Sequence, residues 1–195
     1  MEKLYFVKPT IKYKEQGIQY IKEHIEYGSH INGSGGLDRY VDDYEGWLDK
    51  INYEATMEPT EKLVPAETYY LVRDIDDKII GMINIRLCLN DSLEKCGGHI
   101  GYGIRPTERR KGYNKINLYL GLLVCQEHGI KIAKLDCDED NLGSKKTMEA
   151  LGGIQTKRYY DDGHKCYVLR YEIDVDKSIK EYSKIYEPLI IKWVW

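Results

Sequence analysis

The 195-residue sequence predicts a single mixed α+β domain, in which about four helices flank a sheet of six to seven strands. Three observations lead to this prediction. Segments rich in aromatic and β-branched residues recur along the chain, and segments with apolar residues at a helical period lie between some of them. Two pairs of strand-like segments are separated by short Asp-containing turns, which indicates antiparallel hairpins. A helical segment separates two other strands, which indicates a crossover between parallel strands.

The N-terminal part of the chain predicts one strand and two helices. Residues 3–8 are mainly apolar and form a short strand, and residues 11–27 carry isoleucines on one helical face. A second helix is predicted over residues 40–51. The segment between the helices, residues 28–36, is polar and glycine-rich, so we expect a flexible loop.

The remaining elements alternate between strands and helices. In chain order they are the strands 67–73, 78–89, 99–105 and 131–137, the helix 141–151, and the hairpin strands 154–160 and 165–173. A helix with apolar residues from Ile116 onward joins the third and fourth of these strands, which we therefore expect to be parallel. Residues 1–174 would form the domain. Residues 175–195 would form an extension, partly helical, that packs on this domain or on a second subunit.

Composition and charge exclude several classes of function. The chain has 29 Lys and Arg residues against 32 Asp and Glu residues, a net charge of −3, which argues against a nucleic-acid partner. No apolar run approaches the ~20 residues that span a bilayer, so we expect no membrane association. The five cysteines are scattered and form no Cys-x-x-Cys pair, which predicts reduced thiols in the cytoplasm and no metal site.

A basic turn precedes the helix that begins near Ile116. Residues 105–114 read Arg-Pro-Thr-Glu-Arg-Arg-Lys-Gly-Tyr-Asn. Gly112 lets the backbone approach a ligand closely, and the N–H groups that open a helix have no intrahelical acceptor. The basic residues of the turn and of the helix start are Arg105, Arg109, Arg110, Lys111 and Lys115, against the single acid Glu108. The turn therefore predicts a phosphate site, with a solvated basic surface as the alternative.

This turn resembles the pyrophosphate-binding signature of the GNAT superfamily of acyl-CoA N-acyltransferases. The signature is Arg/Gln-x-x-Gly-x-Gly/Ala, and residues 109–114 match it except at Asn114, where the family has a small residue. Asparagine is among the non-glycine residues that best tolerate positive φ. A second family motif follows over residues 141–153. The resemblance covers roughly residues 3–174, and the ordered pair of motifs makes it specific.

The resemblance implies an acetyl-CoA-dependent N-acetyltransferase. Its sheet would be twisted and mostly antiparallel, with two central parallel strands that separate below the turn and admit the pantetheine arm. A primary amine of a small molecule or peptide would attack the thioester directly in a ternary complex. The residues implied to hold acetyl-CoA are Tyr102, Gly103, Ile104, Arg109, Arg110, Lys111, Gly112, Tyr113, Asn114, Asn141 and Ser144. The resemblance also implies that the first two helices and their connection wall the acceptor site, so the loop over residues 28–36 would be a substrate lid or a mobile linker. Monomers and homodimers are both compatible with the resemblance.

Two of these residues have alternative explanations from the sequence alone. Asn141 begins a predicted helix and is a typical helix N-cap, a role that it could combine with a hydrogen bond to pantetheine. Ser144 lies one turn later and could equally be a surface hydroxyl.

The candidate general base is His99. It lies on the strand before the turn, where several GNAT proteins carry a glutamate, and an unperturbed histidine accepts a proton near neutrality. A half-buried structural histidine is the alternative. Asp136 and Asp138, at the end of the next strand, are further candidates that would act through water.

The general acid is where the sequence departs from the family. Many relatives have a tyrosine seven residues after the motif asparagine, and this chain has Met148 there, which cannot donate a proton. Cys137 is the substitute candidate, with Tyr159 or water as alternatives. Asn114 and Met148 also leave open a CoA-binding sensor or scaffold without catalysis. The sequence does not identify the acceptor.

Overall fold

The computed structural model describes residues 2–163 and 165–191. The strands are β1 (Leu4–Val7), β2 (Ala66–Arg73), β3 (Lys78–Arg86), β4 (Ile100–Ile104), β5 (Ile132–Asp138), β6 (Ile154–Asp161) and β7 (Cys166–Asp174). The helices are α1 (Lys14–Glu26), α2 (Tyr44–Thr56), α3 (Asp91–Lys95), α4 (Tyr113–Glu127), α5 (Leu142–Glu149) and α6 (Val175–Tyr186). The predicted mixed α+β class is confirmed.

The strands form two antiparallel sheets rather than one continuous sheet. The first has the order β1-β2-β3-β4, and the second has the order β5-β7-β6. Among the described residues, a single bridge between Gly98 and Leu135, antiparallel in pattern, joins β4 to β5. Strands β4 and β5 form no ladder with each other among the described residues, which agrees with the expected separation of the two central strands. Gly97 (φ 106°) and Gly98 (φ 64°) bend the chain just before β4. Beyond this point the edge of β4 is open.

The first sheet has a hydrophobic core on each of its faces. Successive residues of β2 alternate between them: Tyr69 packs in the core that contains α4, and Tyr70 packs in the core that contains α1 and α2. Helix α4 is buried on nearly every side, which explains why apolar residues fill most of its length. On the opposite face, Trp47 of α2 is completely buried. The sheet is therefore covered on both sides, and its accessible part is the open edge of β4.

The glycine-rich loop over residues 28–36 is packed, in contrast to the expectation of a flexible segment. The indole Nε1 of Trp47 donates a hydrogen bond of 3.1 Å to the carbonyl oxygen of Gly35. A Cβ atom on Gly33 would lie 2.5 Å from the carbonyl oxygen of Gly101 in β4, so no side chain fits at this contact. The absence of side chains lets the loop lie directly on β4.

Helix α6 and the residues after it lie against the rest of the chain. Asp174 caps the helix by accepting a hydrogen bond of 3.0 Å from the N–H of Lys177. The rings of Tyr186 and Tyr119 lie 5.2 Å apart and join α6 to α4. The apolar tail over residues 192–195 lies outside the described residues. No helix in the described part of the chain is long and apolar enough to cross a membrane.

Candidate active site

The turn between β4 and α4 has the backbone of an anion site. Gly112 is the N-cap residue of α4 and adopts φ 84°, and Arg110 also adopts a positive φ of 65°. The N–H groups of the first helical turn have no intrahelical acceptor and lie at the positive end of the helix dipole. A Cβ atom on Gly112 would meet no atom within 4 Å, so the space in front of the turn is open.

A cavity of about 830 Å³ lies beside this turn, and we call it the turn groove. Its walls come from the loop after α1, the end of β4, the turn itself and the first turns of α4 and α5. Arg110, Lys115 and Lys146 line the groove, and none of them forms an ion pair within the described residues. Three uncompensated cations around open N–H groups make this groove a site for a polyanion. Lys146 carries no signal in the sequence that distinguishes it from other surface lysines.

Two basic residues of the turn, Arg105 and Lys111, form ion pairs within the protein, so their charge is not offered to a ligand. Arg105 is 4% exposed, donates to Glu23 Oε2 at 2.9 Å and to the carbonyl oxygen of Ile79 at 2.9 Å, and so lies outside the groove. Lys111 donates to Glu108 at 2.8 Å. Burial opposes ionisation of Glu108, but hydrogen bonds from Lys111 and Lys78 outweigh this effect and lower the pKa of its carboxyl group to about 2. Arg105 therefore anchors the turn to α1 and holds its position.

Two further turn residues, Arg109 and Tyr113, use their side chains for hydrogen bonds within the protein. The Arg109 guanidinium donates to the carbonyl oxygen of Ile104 at 3.2 Å and to the hydroxyl of Ser29 at 2.9 Å, and so joins the turn to the loop after α1. Tyr113 is buried, and its hydroxyl donates to Glu2. Tyr113 thus presents backbone, not side-chain, groups to the groove.

Strand β4 offers alternate backbone groups to the groove. The N–H of Arg105 donates to Ile80, and the N–H of Arg86 donates to the carbonyl oxygen of His99, so the odd-numbered residues of this segment pair with β3. The backbone N–H and C=O groups of Gly103 therefore pair with β3, whereas those of Tyr102 and Ile104 point to the open edge of β4. This edge is available to a ligand that pairs as a strand does.

The side chain of Tyr102 connects β4 to α5. Its hydroxyl lies 2.7 Å from the hydroxyl of Ser144, which is buried rather than at the surface. Cys137 lies beside Ser144, and burial raises the pKa of its thiol to about 11, with the Ser144 hydrogen bond opposing this effect. The structure therefore places Cys137 next to the groove wall as a neutral thiol. Asn141 caps α5, because its Oδ1 accepts a hydrogen bond of 3.0 Å from the N–H of Ser144.

Asn114 joins the turn to α5 and keeps one polar atom unsatisfied. Its Nδ2 donates to the hydroxyl of Thr147 at 3.2 Å. Its Oδ1 is buried on the wall of the groove and has no hydrogen-bond partner among the described residues. A buried orphaned acceptor is costly unless a ligand donates to it. A ligand N–H that reached this oxygen would satisfy it, and with the cationic turn and the open edge of β4 the residues present fit a coenzyme A thioester.

His99 does not line the turn groove. Its Nδ1 accepts a hydrogen bond of 3.1 Å from the N–H of Lys134 in β5. Burial lowers the pKa of the imidazole to about 4, so the ring is neutral and its accepting nitrogen is occupied. Tyr159 donates to Asp136 at 2.8 Å, and neither residue lines the turn groove. The structure thus groups His99 with the contact between the two sheets.

His24 of α1, a residue that the sequence interpretation missed, lies at the groove wall. Its Nδ1 donates to the carbonyl oxygen of Tyr20 at 2.9 Å, which leaves Nε2 as the accepting nitrogen. Nε2 has no hydrogen-bond partner within the described residues. Burial lowers the pKa of the imidazole below its usual value, with a weaker opposing effect of the Tyr20 hydrogen bond. No sequence motif marks His24, because its position depends on how α1 packs across β4.

A second cavity, of about 470 Å³, lies on the other side of the loop over residues 28–36, and we call it the loop cavity. Asn32 lines both cavities, and Gly101 and Gly103, two residues apart in β4, line the loop cavity and the turn groove respectively. A Cβ atom on Gly103 would lie 2.9 Å from the carbonyl oxygen of Asn32. The two cavities therefore meet where the loop crosses β4.

The family model of the acetyltransferase (GNAT) family matches residues 37–153. This match spans more than half of the chain and includes β4, the turn, α4, β5 and α5. The chain belongs to the GNAT acetyltransferase family. Membership confirms the resemblance drawn from the two motifs, and it identifies the protein as an acetyltransferase. Among curated proteins, none matches this sequence.

Solved structures of acetyltransferases share this fold at low sequence identity. RimJ of Mycobacterium smegmatis, in complex with CoA-disulfide, has a TM-score of 0.67 and 12% identity over 92% of this chain and 89% of its own. The microcin C7 self-immunity acetyltransferase MccE, in complex with acetyl-CoA and AMP, has a TM-score of 0.65 and 15% identity over 87% of this chain and 91% of its own. A GnaT-family acetyltransferase from Bordetella pertussis has a TM-score of 0.64 and 14% identity over 87% and 95%. This GNAT chain thus has the architecture of enzymes whose complexes contain coenzyme A.

Proposed function

We propose that this GNAT protein transfers the acetyl group of acetyl-CoA to a primary amine by direct attack in a ternary complex. One observation carries the proposal: the open edge of β4, the cationic turn and the orphaned Asn114 oxygen meet in a single groove. An open strand edge suits the amides of pantetheine, and the turn suits the pyrophosphate. The printed complexes of RimJ and MccE support a coenzyme A ligand.

Each part of the groove has a proposed role toward acetyl-CoA. The N–H groups from Arg110 to Asn114 hold the pyrophosphate, with Arg110, Lys115 and Lys146 supplying charge. The backbone of Tyr102 and Ile104 pairs with the pantetheine arm. Asn141 adds a hydrogen bond to this arm through its Nδ2, since its Oδ1 already caps α5.

The reaction requires two proton transfers. The neutral amine attacks the thioester carbonyl carbon, a C–N bond forms, the C–S bond breaks, and the proton of the resulting ammonium passes to a base. Coenzyme A leaves as a thiolate and takes a proton. The backbone N–H of Ile104, on the open edge of β4, stabilises the negative charge that develops on the carbonyl oxygen.

For these proton transfers we propose His24 and Tyr102. Nε2 of His24 is unoccupied, whereas the accepting nitrogen of His99 already has a donor. The hydroxyl of Tyr102 lies on the groove and is held by Ser144, and it is better placed than the thiol of Cys137, which lies behind that serine. His99 as the base and Cys137 as the acid remain the candidates that the sequence suggests.

The acceptor is proposed to occupy the loop cavity. This cavity meets the turn groove at Asn32, so an amine that enters from it arrives at the thioester from the side opposite to the pyrophosphate. The acceptor is a small molecule or a peptide rather than a nucleic acid or a membrane lipid. We also propose a cytoplasmic location, which the five free cysteines support, and a monomeric or homodimeric state.

Thermal unfolding with and without acetyl-CoA, at low and moderate salt, tests the cofactor. A ligand at 100 times its dissociation constant adds about 2.7 kcal/mol to the free energy of unfolding, which raises Tm by several degrees. The absence of a shift would contradict the proposal. A shift without acetylation of any amine in a broad panel, in an assay that detects free CoA thiol as the product, would instead indicate the alternative, a CoA-binding sensor or scaffold.

A further inference from the structure

The loop cavity contains more positive charge than its own carboxylates neutralise. Lys50 and Glu54 form an ion pair of 2.7 Å and cancel each other. The remaining charged residues of the lining are Asp38, Arg39, Lys62 and Arg86. Three cations therefore stand against one carboxylate, and Asp38 already accepts a hydrogen bond from Ser34 at 3.0 Å.

Arg86 is the cation that the protein leaves without a counter-charge at the inner end of this cavity. Its guanidinium donates to the carbonyl oxygen of Gly98 at 2.9 Å and forms no ion pair within the described residues. The nearby carboxylate of Asp136 is held by Arg170 through two hydrogen bonds of 2.7 Å. Burial lowers the pKa of Arg86, and the charge of the nearby Asp136 only partly opposes this effect. A guanidinium in this state is a ready partner for a carboxylate or phosphate.

The distance between Arg86 and the reaction centre determines how far the anionic group of an acceptor would lie from its reacting amine. In the β3–β4 ladder Asn84 pairs with Gly101, and Arg86 lies two residues further along β3 on the same face. The N–H of Arg86 donates to the carbonyl oxygen of His99, five residues before Ile104, whose N–H is proposed to stabilise the developing oxyanion. Since a strand rises about 3.3 Å per residue, this separation is roughly 16 Å.

Resting on the proposed function, we propose that the acceptor is an amine that carries an anionic group, a carboxylate or phosphate, which Arg86 binds in the loop cavity. The anion lies about as far from the reacting amine as the two ends of an extended tetrapeptide or pentapeptide. Arg39 and Lys62 stand on the exposed rim of the same cavity and attract the anion. A polycation such as a polyamine is disfavoured by the same charges.

Alanine oligopeptides from two to six residues, each as the free acid and as the C-terminal amide, provide matched probes. Each pair has the same amine and length and differs in the terminal charge. We expect kcat/KM of the free acid to exceed that of the amide by about tenfold or more for the tetrapeptide and pentapeptide, and by less for the dipeptide. Calorimetric binding of the same pairs to CoA-saturated protein gives the comparison independently of turnover.

Arg86→Gln should bring the free-acid to amide ratio close to one, and Lys22→Gln, which removes an exposed charge on α1, should leave the ratio unchanged. Inhibition by inorganic phosphate compared with acetate, at equal ionic strength, distinguishes the two anions. If Arg86→Gln does not fold, the ratio of kcat/KM between free-acid and amide peptides on the unaltered protein tests the anionic acceptor by itself.

The outcomes separate this inference from the proposed function. Equal rates and equal affinities for free acid and amide at every length, in a protein that binds acetyl-CoA, overturn the anionic acceptor and leave the transferase intact. A preference that survives Arg86→Gln overturns the role of Arg86. No stabilisation by acetyl-CoA overturns the proposed function itself.

Discussion

The hydroxyl of Tyr102 lies 2.7 Å from the hydroxyl of Ser144, and this hydrogen bond joins the open edge of β4 to the first turn of α5. Burial raises the pKa of Tyr102, with the Ser144 hydrogen bond opposing it, so the phenol keeps its proton at neutral pH. A neutral phenol on the wall of the groove can donate that proton to a departing thiolate. In this fold Met148, at the position of the tyrosine that many relatives use, is completely buried in the core.

Tyr102→Phe should lower kcat by about tenfold to a hundredfold, since general acid catalysis contributes at least this much when the donor acts in the rate-limiting step. Ser144→Ala should reduce kcat less, because it keeps the phenol and removes only its partner. Cys137→Ala is the matched control in the same cluster and should retain most of the activity. Steady-state kinetics at saturating acetyl-CoA measure all three. An unchanged kcat in Tyr102→Phe, together with a reduced kcat in Cys137→Ala, would identify Cys137 as the general acid.

Gly112→Asp should abolish acetyl-CoA binding, because it places a carboxylate where the pyrophosphate is expected. Gly129 provides a matched control: it also adopts a positive φ, 73°, and a Cβ atom there also meets nothing within 4 Å. Both substitutions should cost about 1–2 kcal/mol of stability through the left-handed backbone. Only Gly112→Asp should remove the rise in Tm that acetyl-CoA produces. Equal acetyl-CoA affinities in the two variants would refute the turn as the cofactor site.

His24→Gln should lower kcat/KM by about a hundredfold and remove the acidic limb of the pH profile. The base must be neutral, so activity falls as pH decreases through the pKa of His24. Burial lowers this pKa, which places the midpoint of the limb below the usual value of about 6.5. His99→Gln is the control and should keep the limb. A limb that persists in His24→Gln and disappears in His99→Gln would assign the base to His99.

His99 should make the protein less stable in acid. Its folded pKa of about 4 lies below the unfolded value of about 6.5, so the unfolded state binds more protons between these values. The stabilisation is present above pH 6.5 and is lost as pH falls toward 4, by up to about 3 kcal/mol. His99→Gln keeps an acceptor for the Lys134 N–H and does not titrate, so its unfolding free energy should vary less over this range. Urea titrations at several pH values measure the difference.

The sequence predicts the parts of the site that depend on local backbone chemistry. Gly112 adopts the positive φ that a glycine at a strand-to-helix turn suggests, and Asn141 caps the helix that it precedes. Six of the seven strands begin and end within one residue of their predicted bounds, because alternating burial leaves a pattern along the chain. Strand 78–89 is the exception and ends at Arg86, three residues before its predicted end.

The rest of the site depends on contacts between distant segments. Arg105 belongs to a run of basic residues, yet it pairs with Glu23, 82 positions away, so the run overstates the charge offered to a ligand. His24 reaches the groove through the packing of α1, whereas His99, which lies closer to the motif in sequence, is directed at β5. Helix α3 has five residues, too few for a periodic pattern, and was not predicted.

The contact between Gly33 and Gly101 is made by backbone atoms alone, and it has a consequence for how this enzyme can diversify. At this point the loop backbone lies directly on β4. Residues 31–36 of the loop line the loop cavity, and residues 28–30 together with Asn32 line the turn groove. On the proposed function, exchanging residues 31 and 34–36 for those of a relative, with residues 28–30, Asn32 and Gly33 retained, would change which amines are admitted and leave the lining of the turn groove intact. On the proposed function, acceptor choice would depend on a short segment that can be changed separately from the coenzyme site.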